Sequence, residues 1–262
     1  MNNIETINLI YLALLFFLIA LIYSSAGFGG GSSYLAILAL FSFPFYWIPK
    51  IALICNIIVV TGGFIIFYRQ GFFSFKRVLP FATSSIPFAY LGGSIIVSKN
   101  IFLIILSISL ILVSMRLLFM NEKNQQTLKN NFSLALSVVT GSVIGFFSGM
   151  IGIGGGIFLS PFLFLMNWGH AKEIAATSSF FILVNSVSGL SGQIIKHELT
   201  KDFLNMGFKL LPLPAAVFLG GQAGSRLGAY KLKPEKIRIV TGIIILIVAL
   251  RLIVKIIEEG IL

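Results

Sequence analysis

The sequence predicts an all-α membrane protein made of two inverted-topology repeats, each with five hydrophobic segments. Three observations predict this class: an apolar composition, long uncharged runs and an internal duplication. Of 262 residues, 57% are hydrophobic and 10% are charged, whereas soluble domains carry about a quarter charged residues. No Asp, Glu, Lys or Arg occurs in 6–49 or in 130–171. A water-facing surface cannot be built from such runs. A soluble enzyme, a nucleic-acid-binding domain and a disordered chain are therefore excluded, and the predicted partner is the lipid bilayer.

Charges, prolines and glycine clusters divide the chain into ten segments, and a membrane-spanning helix needs about 20 residues. The first repeat, 1–120, contains segments 6–24, 32–46, 51–68, 78–97 and 101–120. A polar linker at 121–131 precedes the second repeat, 132–262, which contains segments 132–150, 157–168, 174–194, 208–225 and 237–257. The second segment of each repeat is too short to span a core of about 30 Å unaided. It either crosses with help or is re-entrant.

The two halves share motifs in the same order. Gly-x-Gly-Gly-Gly at 27–31 returns at 152–156, and Leu-Gly-Gly at 91–93 returns at 219–221. Each repeat has an odd number of crossings, so the second must enter the membrane from the opposite side. This arrangement is common in secondary transporters.

The loop charges predict the orientation, because cytoplasmic loops are enriched in Lys and Arg. One face would carry six lysines: Lys50, Lys99, Lys196, Lys201, Lys209 and Lys255. The other would carry twelve basic residues: Arg69, Lys76, Arg77, Arg116, Lys123, Lys129, Lys172, Arg226, Lys231, Lys233, Lys236 and Arg238. The second face, with the linker, is predicted to be cytoplasmic, and both termini extracytoplasmic. Residues 1–8 lack Lys and Arg, which favours a retained first helix over a signal peptide.

Both glycine motifs precede a short segment, and we call them elbow 1 (27–31) and elbow 2 (152–156). A helix N-terminus offers free N–H groups and a partial positive charge, and glycine lets a ligand approach the backbone. The elbows therefore predict a site for a small oxyanion. The predicted contacts are Gly29, Gly30, Gly31, Ser32 and Ser33, with Gly154, Gly155 and Gly156. The alternative is that these glycines only allow close helix packing, the function we assign to two other stripes, Gly141/Gly145/Gly149 and Gly220/Gly224/Gly228.

Polar side chains in the third and eighth segments are the remaining candidates for the cavity lining. They are Asn56, Thr177, Ser178, Ser179, Asn185 and Gln193. Hydroxyls and amides bind oxyanions, but they also bridge neighbouring helices. No catalytic residue, metal site or cofactor is predicted, because the single cysteine and the two histidines lack metal-ligand spacing. No acidic residue lies in mid-span; Glu173 is expected to pair with Lys172 at a segment edge.

Gly-x-Ser-Gly at 189–192 resembles the nucleophile motif of rhomboid intramembrane proteases, and an intramembrane serine hydrolase is the least favoured function. Such a nucleophile needs a histidine within hydrogen-bonding reach. The next histidine along the chain, His197, follows Ser191 by only six residues and falls in a charged loop. This geometry argues against an enzyme.

The residues at 149–156, with Pro161, Ala171 and Ala-Ala-Thr-Ser at 175–178, resemble the TauE/SafE family of sulfite exporters. The copy at 25–31, with Pro49 and Asn56, is similar. The resemblance implies a bacterial inner-membrane transporter for a small sulfur-containing anion: sulfite, thiosulfate or an organosulfonate such as sulfoacetate. Alternating access around a site between the elbows is the expected mechanism, with an anion channel of the same architecture as the alternative.

Overall fold

The computed structural model describes a helical membrane protein. It covers residues 6–41, 43–95, 98–119, 133–166, 168–196 and 210–230, with separate residues between 239 and 258. Within these ranges the chain forms helices joined by turns and contains no strand. The linker at 121–131 lies outside the described residues, and so does much of the predicted tenth segment.

The helices follow the predicted segments closely. In the first half they are α1 (Thr6–Ser25), α2 (Gly31–Leu40), α3 (Ile48–Arg69), α4 (Phe75–Ser94) and α5 (Lys99–Phe119). In the second half they are α6 (Leu134–Ile151), α7 (Gly156–Leu165), α8 (Ala171–Lys196) and α9 (Pro212–Tyr230). Described residues beyond 238 are also helical, and Ala249 and Ile256, spaced by two helical turns, are buried in the core.

The second segment of each half is shorter than predicted. Segment 32–46 stops as a helix at Leu40, and segment 157–168 stops at Leu165. The same type of hydrogen bond follows the last residue of both helices. The N–H of Phe43 donates to Leu38 O, and the N–H of Trp168 donates to Leu163 O, each at 3.0 Å. At 10 residues each, α2 and α7 extend about 15 Å. As helices alone they are too short to span the bilayer core unaided, as the sequence predicted.

Three of the described helices are long and apolar enough to cross a membrane: α3, α6 and residues 172–195 of α8. α3 and α8 pack against each other, and α8 also packs against α4. The two most extensive contacts pair α4 with α6 and α1 with α9, and α9 also packs against α3. One buried apolar cluster joins α1, α2, α3 and α5 to elbow 2 and the start of α7, and a second joins α4, α7 and α8.

The two glycine stripes lie at the α4–α6 and α1–α9 contacts. A Cβ added at Gly145 would lie 2.5 Å from Ser85 O, and one at Gly149 would meet Ala89 O. On α9, Gly224 and Gly228 lie in the same way against carbonyl groups of α1. Backbones approach this closely only where both helices lack bulk. The predicted packing function of both stripes is confirmed.

Candidate functional site

Elbow 1 is formed by glycines that end α1 and begin α2. At the end of α1, the N–H of Phe28 donates to Tyr23 O at 2.9 Å, and Gly27 has φ +79°. This is the Schellman pattern, which needs a left-handed residue after the helix, usually glycine. Gly30, with φ +86°, is the N-cap of α2. α1 therefore ends and α2 begins within a few residues. The N-terminus of α2, with its partial positive charge, lies inside the protein.

Elbow 2 begins and ends in the same way, although Gly154 has φ +85° whereas its counterpart Gly29 is not left-handed. The N–H of Ile153 donates to Ser148 O at 3.0 Å, and Gly152 has φ +87°. Gly155, with φ +83°, precedes the first residue of α7, as Gly30 does for α2. Local sequence dictates both turns, because a side chain is strained at such φ values.

Asn56, on α3, joins the two elbows. Its Nδ2 donates to Ile153 O in elbow 2 at 2.8 Å, and the side chain is fully buried. A Cβ at Gly31 would lie 2.6 Å from Ile153 O and would also meet the Asn56 amide. A Cβ at Gly154 would lie 2.9 Å from Asn56 Nδ2. The structure thus brings both glycine motifs into contact with one amide, and several of these glycines leave no room for a side chain.

A small cavity of about 10 Å³ lies between the elbows. Elbow 1 and the start of α2 form one side of it, and Ile153, Ile157 and Ile182 contribute apolar walls. Phe28 and Tyr23 complete the lining. A cavity of this size holds about one water molecule. A sulfur oxyanion would need the elbows to move apart.

Buried polar atoms without a hydrogen-bond partner lie around the elbows. Among the described residues they include Ser32 Oγ, Asn56 Oδ1, Asn185 Oδ1 and Ser186 Oγ. Ser32 lines the cavity, and a Cβ at Gly154 would lie 2.7 Å from Ser186 Oγ. An unpaired buried polar group is costly, which makes each one a candidate contact for a ligand or for water.

The predicted polar residues of α8 contact elbow 1, helix α7 or their own helix. Ser179 Oγ donates to Gly27 O of elbow 1 at 2.9 Å. Ser178 Oγ lies 2.5 Å from Ser160 Oγ of α7. Thr177 is buried with its hydroxyl unpartnered, and Asn185 Nδ2 donates to the preceding turn of its own helix. All four are buried, but none of them lines the cavity as it stands.

Gln193 and Ser33 lie outside the cavity. Gln193 Nε2 donates to Gly149 O at 3.0 Å and to Met150 O at 3.2 Å, at the end of α6. These bonds satisfy carbonyls that a helix end leaves free, directly before elbow 2. Ser33 Oγ lies 2.7 Å from the Tyr23 hydroxyl. Both contacts match the helix-bridging alternative.

Sequence reasoning missed several residues of this region. Tyr23 and the three isoleucines of the cavity carried no signal, because they resemble every other apolar residue in the chain. Lys50 was expected in a loop, but it lies in the first turn of α3 with its side chain buried. Its Nζ donates to Tyr46 O at 3.4 Å. In the sequence, only the position of Lys50 directly beside an apolar run could have indicated that it is buried.

The expected Glu173–Lys172 pair is wrong. Glu173 lies 3.7 Å from Arg77 of α4, and its other oxygen accepts the His170 N–H at 2.8 Å. Arg77 also donates to Trp168 O and stacks on the Trp168 ring at 3.9 Å. Lys172 instead donates to the Ala229 carbonyl at the end of α9. Sequence adjacency failed here because neighbouring residues on a helix point in different directions.

Ser191 lies in an apolar groove of about 690 Å³ between α4 and α8. Its hydroxyl donates to Val187 O, one turn earlier, at 3.0 Å. The serine hydroxyl is therefore held by its own helix, and this contact gives no support to a nucleophile.

The family comparison agrees with this architecture. A family model described as "Sulfite exporter TauE/SafE" matches residues 12–252. The chain belongs to the TauE/SafE family. It is therefore a multi-pass membrane protein of a transporter family, and the match spans both elbows. No solved structure matches the chain.

Three relatives carry transporter names. A probable membrane transporter protein, y4hK, of Sinorhizobium fredii is 32% identical over 244 residues, which cover 92% of this chain and 96% of the relative. The probable membrane transporter protein YunE of Bacillus subtilis is 23% identical, over 78% and 81% of the two chains. The probable membrane transporter protein MJ0441 of Methanocaldococcus jannaschii is 25% identical, over 87% and 89%.

Proposed function

We propose that this protein is a secondary transporter that moves a small sulfur-containing oxyanion by alternating access around the elbows. The cargo would be sulfite, thiosulfate or an organosulfonate such as sulfoacetate. The protein would lie in the bacterial inner membrane, with the 121–131 linker in the cytoplasm and both termini outside. The family supports transport, and the chemistry of the elbows supports an anion.

The packing of the helices supports two inverted repeats, 1–120 and 132–262. α1 packs against α9, and its counterpart α6 packs against α4, the counterpart of α9. A two-fold relation would exchange these pairs and leave the central α3–α8 contact in place. The elbows obey the same relation: a Cβ at Gly27 would lie 2.6 Å from Ala175 of α8, and one at Gly152 would lie 2.6 Å from Pro49 of α3.

The observation that carries the proposal is the meeting of both elbows at Asn56. Each elbow directs a helix N-terminus, with its free N–H groups, toward the protein interior. Ser32 Oγ is buried there with no hydrogen-bond partner in the described part of the chain, and it can donate to an oxygen of the ligand. Hydrogen bonds to an ionised group are stronger than neutral ones. These groups can therefore hold an anion with few charged side chains.

The mechanism follows from the size of the cavity and from the helices that close it. At about 10 Å³ the cavity represents a closed arrangement. α3 contacts elbow 2 through Pro49 and Asn56, and α8 contacts elbow 1 through Ala175 and Ser179. Each of these helices therefore lies against the elbow of the other half. Tilting the two halves about α3 and α8 would open the site to one side at a time.

Counterflow in liposomes tests the proposal. Vesicles containing the purified protein are loaded with unlabelled sulfite, thiosulfate or sulfoacetate, and uptake of the labelled anion is followed from outside. A transporter gives a transient accumulation that saturates with substrate concentration. Protein-free vesicles provide the background. A current that rises without saturation would identify a channel, and absence of flux for every oxyanion would refute the proposed cargo class.

A further inference from the structure

The two elbows differ in the side chain that faces the start of each short helix. A Cβ at Gly31, the first residue of α2, would meet the Asn56 amide. A Cβ at Gly156, the first residue of α7, would instead meet the Cγ1 and Cδ1 atoms of Ile182. Ile182 thus occupies in the second half the place that Asn56 occupies in the first. The first residue of α2 therefore faces a polar group, whereas the first residue of α7 is covered by hydrocarbon and the buried Ser186 hydroxyl lies two residues earlier, beside Gly154.

This difference divides the cavity into two sides. The polar side is the beginning of α2, where Ser32 is buried and its Oγ has no partner among the described residues. The apolar side consists of Ile153, Ile157 and Ile182, all of which are buried. An anionic oxygen placed against the isoleucines would lose its water without gaining a hydrogen bond, which is strongly unfavourable.

We propose that the three isoleucines form an apolar subsite and that Ile182 determines the specificity of the site. The subsite takes the hydrocarbon part of an organic monoanion whose charged group lies at the N-terminus of α2. Wholly polar oxyanions, such as sulfite and thiosulfate, bind more weakly because they expose charged oxygens to the apolar side. This inference rests on the proposed oxyanion site and narrows its substrate class.

A chain-length series measures the subsite in the unaltered protein. The probes are methanesulfonate, ethanesulfonate, propanesulfonate and butanesulfonate, compared with sulfite and thiosulfate, in equilibrium binding to the purified protein. Each added methylene buried against the isoleucines strengthens binding about fourfold over the first two or three carbons. Equal affinities along the series, or tighter binding of sulfite than of every alkanesulfonate, would overturn the inference while leaving the oxyanion site intact. Absence of binding for all probes would instead refute the proposed function, and the inference with it.

Substitution of Ile182 tests whether this side chain causes the dependence of affinity on chain length. Ile182→Asn would uncover the N–H groups of α7 and supply a second amide, so sulfite should bind more tightly and the chain-length dependence should flatten. Ile182→Val is the matched control: it keeps an apolar side chain and should preserve the order of affinities. An unchanged chain-length dependence in a folded Ile182→Asn variant would remove Ile182 as the determinant. If that variant fails to fold, the series on the unaltered protein still decides for or against the subsite.

Discussion

Gly31→Ala is the most direct test that elbow 1 is a binding element. The added Cβ would lie 2.6 Å from Ile153 O, whereas ordinary contact begins near 3.4 Å. The Ile153 carbonyl of elbow 2 would therefore have to withdraw by roughly 0.8 Å, the difference between these distances, and the Asn56 amide, which lies closer still to the added Cβ, would have to move as well. These movements would disrupt the Asn56–Ile153 hydrogen bond, now 2.8 Å.

The stability cost of this change is modest. A buried carbonyl that loses its donor costs about 1–3 kcal/mol, but alanine improves helix propensity over glycine by about 1 kcal/mol. The net loss is about 0–2 kcal/mol. Substrate binding should suffer more, because loss of one hydrogen bond to a charged group, about 1.5–3 kcal/mol, weakens binding roughly 10- to 100-fold.

Gly71→Ala is the matched control for Gly31→Ala. Gly71 lies outside the helices, has φ +77°, and a Cβ there would meet nothing within 4 Å. The substitution adds backbone strain of about 1–2 kcal/mol without touching an elbow. Thermal unfolding should show losses of similar size for both variants, and binding of sulfite and ethanesulfonate should weaken only for Gly31→Ala. Wild-type affinity in the folded Gly31→Ala protein, or equal weakening in both variants, would refute the assigned function of elbow 1.

Other predictions concern the orientation and the Arg77 contacts. An impermeant thiol reagent should label a Gln125→Cys variant only after permeabilisation, because the linker is predicted to be cytoplasmic; labelling in intact spheroplasts would reverse the topology. Glu173→Gln should keep substrate binding and most transport in vesicles, since glutamine still accepts the His170 N–H and a partly exposed ion pair contributes under about 1 kcal/mol; loss of pH-gradient-driven uptake with binding intact would make Glu173 the coupling residue. Arg77→Ala should be more destabilising, by about 1–3 kcal/mol, because it removes both the hydrogen bond to Trp168 O and the stacking on its ring; thermal midpoints equal to those of Glu173→Gln would contradict this.

Much of the fold could be predicted because its determinants are local. Long uncharged runs can be stable only as helices in a bilayer, and the helices follow those runs. The elbows were predictable for a similar reason: Gly27 and Gly152 occupy left-handed positions where side chains are strained. The glycine stripes were predictable as packing contacts because their four-residue spacing puts them on one helix face.

The candidate site could be predicted only in part. The elbow glycines and Asn56 lie together, but Gln193 bonds the end of α6 instead of lining the cavity. The ends of α2 and α7 were placed too late, since apolar residues continue past the turns that stop both helices. Composition alone does not mark such ends.

Composition and backbone strain act within a few residues, so the amino-acid pattern was enough to predict a helical membrane protein with two glycine elbows. Which side chains face the elbows depends on how the helices pack. Asn56 reaches Ile153, 97 positions away, and Ile182 covers the start of α7. Both contacts depend on how α3 and α8 cross. A helix that is apolar on every face gives no periodic signal for the side that turns inward, so these partners emerge only when the helices pack.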